Sequence, residues 1–337
     1  LTSPDVYPQP DLATAMIDIT LQNFEAELIQ GSMQQPVLLD IWAPWCGPCK
    51  SLGPVLEKLE VAYAGRFKLA KLNSDEVPEI AQQLSQMFGV RSIPFCVMFA
   101  GGQPVDGFVG AIAEAQIREF LDKHVPSGEA LEAQEEVAAA EELLAEGDLE
   151  SALVKLQRAV ETDPENETAR FDYIKALLEL GDLPAAHQAF TPVAAKAADT
   201  ITRHARFAAL GQWLKACDRA ALGLDLAGLQ AAIATNKRDF EARFTLAQGR
   251  FSANDFTGAM DELLEIILRD KAWNDGLARV TYVAILELMT QPAPKPAAGS
   301  KGPGDAKGTL ELAGHAVLPS SDPVLDRYRR KLSMALN

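Results

Sequence analysis

The sequence predicts an α/β domain followed by an all-α domain of helical repeats. Three observations carry that reading. Strand-like and helix-like apolar patterns alternate from about residue 16 to residue 125, as they do where helices cover a sheet. The segment Val125-Pro126-Ser127-Gly128 ends that alternation, and beyond it Ala and Leu recur at helical period without strand-like runs. Leu143–Ala152 then matches Leu177–Ala186 without gaps at an offset of 34, identical at six of ten positions, and self-similarity at such a period marks stacked helical units. The length of 337 residues suits two domains of ~150 residues each.

The elements follow in order. Val37–Trp42 is a short apolar run with one acid, Asp40, as in a strand buried on both faces. After a turn at Trp45–Cys49, Leu52, Val55, Leu56 and Leu59 recur at helical spacing, with Pro54 as a kink. Phe67–Leu72 alternates like a strand, Ile80–Phe88 reads as a helix, and Phe95–Phe99 is a second buried strand. Gly101-Gly102 forms a hairpin turn into Val105–Val109, and Ile117, Phe120 and Leu121 mark a closing helix. In the second half, Gly147-Asp148 and its counterpart Gly181-Asp182 mark turns between helices. Leu156 pairs with Phe190 in the same register. A further self-match joins Ala159–Phe171 to Ala232–Phe244 at an offset of 73, and Asn254-Asp255-Phe256 falls where Gly147-Asp148-Leu149 predicts. About four units result, the one near 200–237 degenerate. Gln291–Gly308 holds four Pro, four Gly, four Ala and three Lys in 18 residues, the composition of a flexible linker. Beyond it Asp322-Pro323 opens an amphipathic helix. Leu325, Tyr328, Leu332 and Leu336 form its apolar stripe, and Arg327, Arg329, Arg330 and Lys331 its basic face. The organisation expected is an extension (1–15), the α/β domain (16–125), a linker (126–132), helical repeats (133–290), a flexible linker (291–308) and a C-terminal segment (309–337).

Composition narrows the function. The net charge is −16, with acids in excess in both halves, so the basic footprint of a nucleic-acid partner is missing. No apolar stretch approaches the ~18 residues of a membrane span. The first residues lack a basic start and an apolar run, so a cytoplasmic location is expected. Of four cysteines only Cys46 and Cys49 are close. A zinc site would need two more ligands, and His124, His187, His204 and His315 offer no ligand pairing. No metal and no separate cofactor are expected; a redox pair in a reducing compartment is favoured.

The run Trp42-Ala43-Pro44-Trp45-Cys46-Gly47-Pro48-Cys49-Lys50 carries the chemistry. Together with Asp40, Pro54, Lys71, Ile93-Pro94, Gly101-Gly102 and Gly110, all mutually spaced as that family has them, it resembles thioredoxin over residues 16–125. The resemblance implies a thioredoxin fold and a redox-active disulfide between Cys46 and Cys49. Cys46 at a helix start gains thiolate character from unpaired backbone N–H groups and attacks a disulfide sulfur. Cys49, one turn on, is the resolving thiol. Asp40 resembles the family's buried proton acceptor, its pKa raised toward neutrality by desolvation, and Lys71 the charge partner that limits the rise. Pro94 matches the family's cis-proline, whose neighbouring backbone can pair with an extended substrate. Trp45, Gly47, Pro48, Ile93 and Pro94 thus form the expected substrate surface, and Trp42 is core. Cys96 reads as a buried core thiol, with a third redox thiol as the sharper alternative. Cys217 reads as helix packing.

The 34-residue period, the Gly-Asp turns and the small Ala152 and Ala186 resemble tetratricopeptide repeats. The combination, with the terminal Ser321–Leu332 segment, resembles the bacterial chaperedoxin (YbbN/CnoX) family. That resemblance implies a redox-active holdase that binds unfolded or oxidised clients, protects their cysteines by thiol–disulfide exchange and passes them to a GroEL-type chaperonin. Thioredoxin reductase or glutathione would supply electrons. The alternative is a dedicated thiol–disulfide reductase whose repeats select one partner. For the last helix, a cap on the repeats competes with a tethered recognition helix. Together with the resemblance, which implies the chaperonin partner, the tether and the basic face favour recruitment through Leu325, Tyr328, Arg329, Arg330 and Leu332.

Overall fold

The computed structural model describes residues 17–199, 204–290 and 322–336. Residues 1–15 and the linker expected at 291–308 lie outside the described residues. One compact unit runs to Gly128, and a second runs from Glu129 through the repeats and includes the C-terminal helix.

The first unit is a five-stranded sheet between helices. Its strands are β1 (Ile17–Asp18), β2 (Val37–Trp42), β3 (Lys68–Asn73), β4 (Phe95–Ala100) and β5 (Gln103–Val109), in the order β1-β3-β2-β4-β5. β1, β3 and β2 run parallel, while β4 lies antiparallel to β2 and β5 antiparallel to β4. A π-helical turn (Glu25–Gln30) and the short α1 (Gly31–Gln34) precede β2, an entry that the apolar pattern did not reveal. α2 (Gly47–Ala62) follows β2, α3 (Pro78–Phe88) follows β3, and α4 (Glu114–His124) closes the unit. Period-two alternation along the buried strands divides the core into two layers. Val37, Leu39, Ile41, Val97 and Phe99 meet Ile80 and Leu84 of α3. Leu38, Leu69, Cys96 and Met98 meet Leu52, Leu56 and Leu59 of α2 and Ile117 and Leu121 of α4. Asp40 shares that second face. The register sets it directly beside Lys71 of β3 and Cys96 of β4, so three polar side chains form one row across the middle of the sheet.

The second unit is all helix. α5 (Gly128–Glu146) and α6 (Leu149–Thr162) make one hairpin, α7 (Glu167–Leu180) and α8 (Leu183–Phe190) the next, and α9 (Ala194–Ala198) follows. α10 (Ala205–Ala221), α11 (Leu226–Thr235), α12 (Phe240–Ser252), α13 (Phe256–Arg269) and α14 (Trp273–Met289) complete the array, and α15 (Pro323–Leu336) ends it. The Gly-Asp signature has a local cause. Gly147 and Gly181 take the left-handed conformation that ends a helix, at φ of 85° and 77°. Each following Asp then caps the next helix: Asp148 Oδ1 accepts from Ser151 N at 3.0 Å and Asp182 Oδ1 from Ala185 N at 3.1 Å. Asn254-Asp255 repeats the device, with Asn254 at φ 62° and Asp255 accepting from Gly258 N at 2.9 Å. The described part of the degenerate unit is still helical, as α10 and α11. Its identity lies in bulk rather than in the repeat signature: Trp213 of α10 is fully buried, stacked on Phe251 at 5.9 Å and edge-on to Phe256 at 5.3 Å.

The C-terminal helix corrects an expectation. Leu325, Tyr328 and Leu332, assigned above to partner recognition, are buried with α13 and α14 in the repeat core. Tyr282 donates to the Tyr328 carbonyl at 2.9 Å, the Tyr328 hydroxyl reaches Asp261 at 3.1 Å, and Lys331 Nζ reaches the same carboxylate at 2.8 Å. Arg329 donates to Thr290 Oγ1 at 3.0 Å. An apolar stripe lowers the free energy most where it meets a preformed apolar surface, and α13 and α14 of its own chain supply one. Removing side-chain volume from this contact should loosen the end of the array. Leu332→Ala is expected to destabilise the repeat unit by roughly 2–4 kcal/mol, read as a lower urea midpoint by fluorescence of Trp213 and Trp273. An unchanged midpoint would mean that α15 adds nothing to the fold.

Candidate active site

The first turn of α2 builds the site. Cys46 ends the loop after β2 with extended backbone, φ −80° and ψ 103°, and Pro48 occupies the first turn, where a missing N–H costs nothing. Cys46 is therefore the cap of the helix, and its sulfur accepts from Cys49 N at 3.2 Å. The helix thus directs its positive end at the sulfur, the arrangement that favours a thiolate once the pair is reduced. Here Cys46 and Cys49 are joined as a disulfide with Cα atoms 5.3 Å apart. Each residue is 4% exposed, packed among Ala43, Trp42 and Ile93.

The surroundings divide into an outer face and an inner cleft. On the outer face Trp45 is 70% exposed, its indole N–H held by the Asp75 carboxylate at 3.0 Å. Gly47 and Pro48 are exposed beside it, and Gly47 has open space where a side chain would stand. Ile93 joins Pro94 through a cis peptide bond, and the buried Pro94 presents its carbonyl to Gly110 N at 2.8 Å. Behind the disulfide a cleft of about 210 Å³ brings together Asp40, Cys49, Gly53, Glu57 and Lys71. Lys71 reaches over it to Glu57 Oε1 at 2.5 Å. Asp40 lies at its floor, 2% exposed. Burial pushes its carboxyl up to about 6, against the pull of Lys71 and a contact from Cys96, with the Glu57 charge adding to the rise.

The structure therefore packs Ile93 against the disulfide and brings Asp40 and Lys71 into one cleft with Cys49. Sequence reasoning missed three neighbours. Glu57 pairs with Lys71, Asp75 holds Trp45, and the buried Glu60 accepts from Leu69 N at 2.7 Å. Glu57 falls on the helix face between the apolar positions Leu56 and Leu59, where it looks like an ordinary solvated acid. Among the described residues no cluster of three or more His, Cys, Asp or Glu could hold a metal, and no helix is long and apolar enough to cross a membrane.

Comparison with known proteins bears on the same residues. The family described as "Thioredoxin" matches residues 15–123. "Thioredoxin 1" of a Nostoc species is 40% identical over 112 residues, which are 99% of that protein and 33% of this chain. The chain belongs to the thioredoxin family. "Thioredoxin" of Chlorobaculum thiosulfatiphilum is 44% identical over 108 residues, covering 94% of its length and 32% of this chain, and that of Haemophilus influenzae is 39% identical over 110, covering 97% and 33%. These thioredoxins match about a third of the chain. The helical part is matched by two families, both described as "Tetratricopeptide repeat", over residues 143–211 and 219–299. The architecture is thus a thioredoxin domain followed by tetratricopeptide repeats, and its redox group is a disulfide rather than a bound cofactor.

The buried acid makes stability depend on pH. Asp40 holds its proton more tightly in the folded thioredoxin domain, at about 6, than in the unfolded chain, at 3.8. Its protonated form favours folding, and that contribution is lost as pH rises from about 4 through 6. Asp40→Asn should therefore unfold at higher urea than the wild type at pH 8, by up to ~3 kcal/mol, and lose that advantage at pH 4. A difference that stays constant across this range would show that Asp40 is not titrating there.

Proposed function

We propose that this chain is a redox-active holdase chaperone whose thioredoxin domain exchanges disulfides with bound clients. The observation that carries the redox part is the placement of Cys46 at the cap of α2 with Cys49 beside the cleft that holds Asp40. In the reduced protein the Cys46 thiolate attacks one sulfur of a client disulfide. A Cys46–client disulfide forms and the other client sulfur leaves as a thiolate. Cys49 then gives its proton toward Asp40, and its thiolate attacks Cys46 Sγ. The Cys46–Cys49 bond forms and the client leaves reduced. Lys71 holds the cleft charge near balance and keeps Asp40 from rising out of the useful range. Trp45, Gly47, Pro48, Ile93 and Pro94 form the rim on which an extended client would lie. Electrons return from thioredoxin reductase or glutathione in the cytoplasm.

The repeats supply the holding surface in this reading. Between α10 and α14 a cleft of about 290 Å³ is lined by Ala205, Ala208, Val280, Val283 and Ala284. Val280 and Val283 are 46% and 48% exposed, so apolar surface is available along it. The net charge of −16 keeps a loaded complex apart from its neighbours. The recruitment of a GroEL-type chaperonin rests on the outward side of α15, where Arg327, Arg330 and Met334 are exposed, whereas Arg329 is turned to Thr290.

Separate experiments test these parts. Cys46→Ser should abolish reduction of insulin disulfides, and Cys49→Ser should accumulate mixed disulfides with clients. Failure of the wild type to reduce insulin with any dithiol donor removes the redox reading. The double variant Cys46→Ser/Cys49→Ser should still suppress light scattering by an aggregating client without cysteines, whereas a dedicated reductase would leave the aggregation unchecked. The pair Arg327→Glu/Arg330→Glu should weaken chaperonin binding by roughly tenfold and blunt its salt dependence, with α15 still docked. Equal affinity in the variant would return α15 to a purely capping role.

A further inference from the structure

The register of β2 with β4 places Cys96 directly opposite Asp40. Cys96 Sγ lies 3.7 Å from Asp40 Oδ1, within reach for a sulfur donor. Both residues are buried, at 0% and 2% exposure. A carboxylate is an acceptor without donors of its own, and burying one without a donor is costly. The Cys96 thiol is suited to that role and to little else. Burial and the adjacent Asp40 charge hold it well above the ordinary thiol range. It therefore stays an S–H group and does not compete with Cys46 as a nucleophile.

The backbone around Cys96 is also fixed. On the side away from Asp40, Cys96 pairs with Phe108 of β5, whose ring packs edge-on to Phe120 at 5.1 Å. The neighbouring Gly107 has no side chain, and a Cβ there would stand 2.7 Å from the Cys96 carbonyl oxygen. Only glycine allows β5 this close to β4.

We propose that Cys96 is a positioning residue for the resolving step, its S–H donating to Asp40 Oδ1 and holding the carboxylate in the orientation that receives the Cys49 proton. This rests on the assignment of Asp40 to that proton transfer. Cys96 changes neither its bonding nor its oxidation state: the proton moves from Cys49 to Asp40, the Cys49–Cys46 bond forms, the Cys46–client bond breaks, and the client sulfur leaves with the electron pair. The charged and titratable groups that face Asp40 or share its cleft are Lys71 from β3, Cys49, Lys50 and Glu57 from α2, and Cys96 from β4. Among them Cys96 is the one that hydrogen-bonds to the carboxyl. Its loss should favour the protonated acid and move the Asp40 titration to higher pH.

The test uses the full-length chain with Cys96→Val, which removes the donor at similar volume, and Cys96→Ser, which keeps a donor. Two quantities are followed against pH: the ¹³C carboxyl resonance of Asp40, and the rate at which a client thiol is released from the Cys46 mixed disulfide. In Cys96→Val both should shift upward by roughly half a pH unit, the scale of a weak sulfhydryl bond. In Cys96→Ser both should stay at or below the wild-type position. Coincident curves for Cys96→Val and wild type, or equal upward shifts in both variants, would overturn the proposal. If Cys96→Val does not fold, Cys96→Ala replaces it in the resonance titration under the same criteria. A wild type without reductase activity would sink the assignment of Asp40 to catalysis, while the resonance would still report whether Cys96 bonds to it.

Discussion

A carboxylate buried across the middle of a sheet is the constraint around which the thioredoxin domain is arranged. Asp40 sits on the central strand, on the face that packs against α2, with the disulfide one layer above it. Its pKa of about 6 is the balance of desolvation against Lys71 and Cys96. That balance sacrifices stability near neutral pH for a group that can take a proton there. The fold compensates elsewhere in the same unit, through the central strands β2 and β4, whose remaining side chains are apolar apart from Cys96. The proposed proton transfer and the instability therefore share one residue, and the neighbours that moderate its rise, Lys71 and Cys96, come from the two flanking strands.

The repeats solve a different problem by a simpler device. Each helix hairpin must stop one helix and start another within two or three residues. A left-handed residue followed by Asp does both, because the first turns the chain and the second satisfies the N–H groups that open the next helix. The same chemistry recurs where the sequence has Asn254 in place of Gly, since Asn tolerates positive φ better than other side chains. Capping by Asn166 and Asp239 extends the pattern to helices that carry no glycine before the cap, and Asp225 caps α11 two residues after the left-handed Gly223.

This explains which features were legible in the sequence. The redox loop is contiguous, so Cys46, Gly47, Pro48, Cys49 and the exposed Trp45 could be placed from local order alone. The strands and helices around it follow from periodicity, and the repeats from self-similarity. The Asp40–Cys96 contact was not legible, because it depends on the antiparallel register of two strands more than fifty residues apart. The Lys71–Glu57 pair was hidden for a similar reason, since nothing local says that a helix acid faces a particular strand lysine. One unit read as degenerate because Trp213 packs there by bulk on Phe251 and Phe256, in place of the small alanines of the neighbouring hairpins.

The last helix shows where pattern alone divides two outcomes. An amphipathic stripe beyond a linker rich in Pro and Gly fits docking and recruitment equally well, because both require the same apolar spacing. What decides is the surface waiting for it, and that surface is written in Asp261, Tyr282 and the flanking apolar residues of α13 and α14. Tyr328 makes the difference concrete. Its ring is buried, its hydroxyl bonds to Asp261 and its carbonyl accepts from Tyr282, so removing it from the core would break three interactions together. Docking by this stripe leaves the opposite face of the helix outward, where Arg327 and Arg330 stand on a chain that is otherwise strongly acidic. One helix can then end the array and still present a cationic surface, since the two tasks use different sides of the same 3.6-residue period.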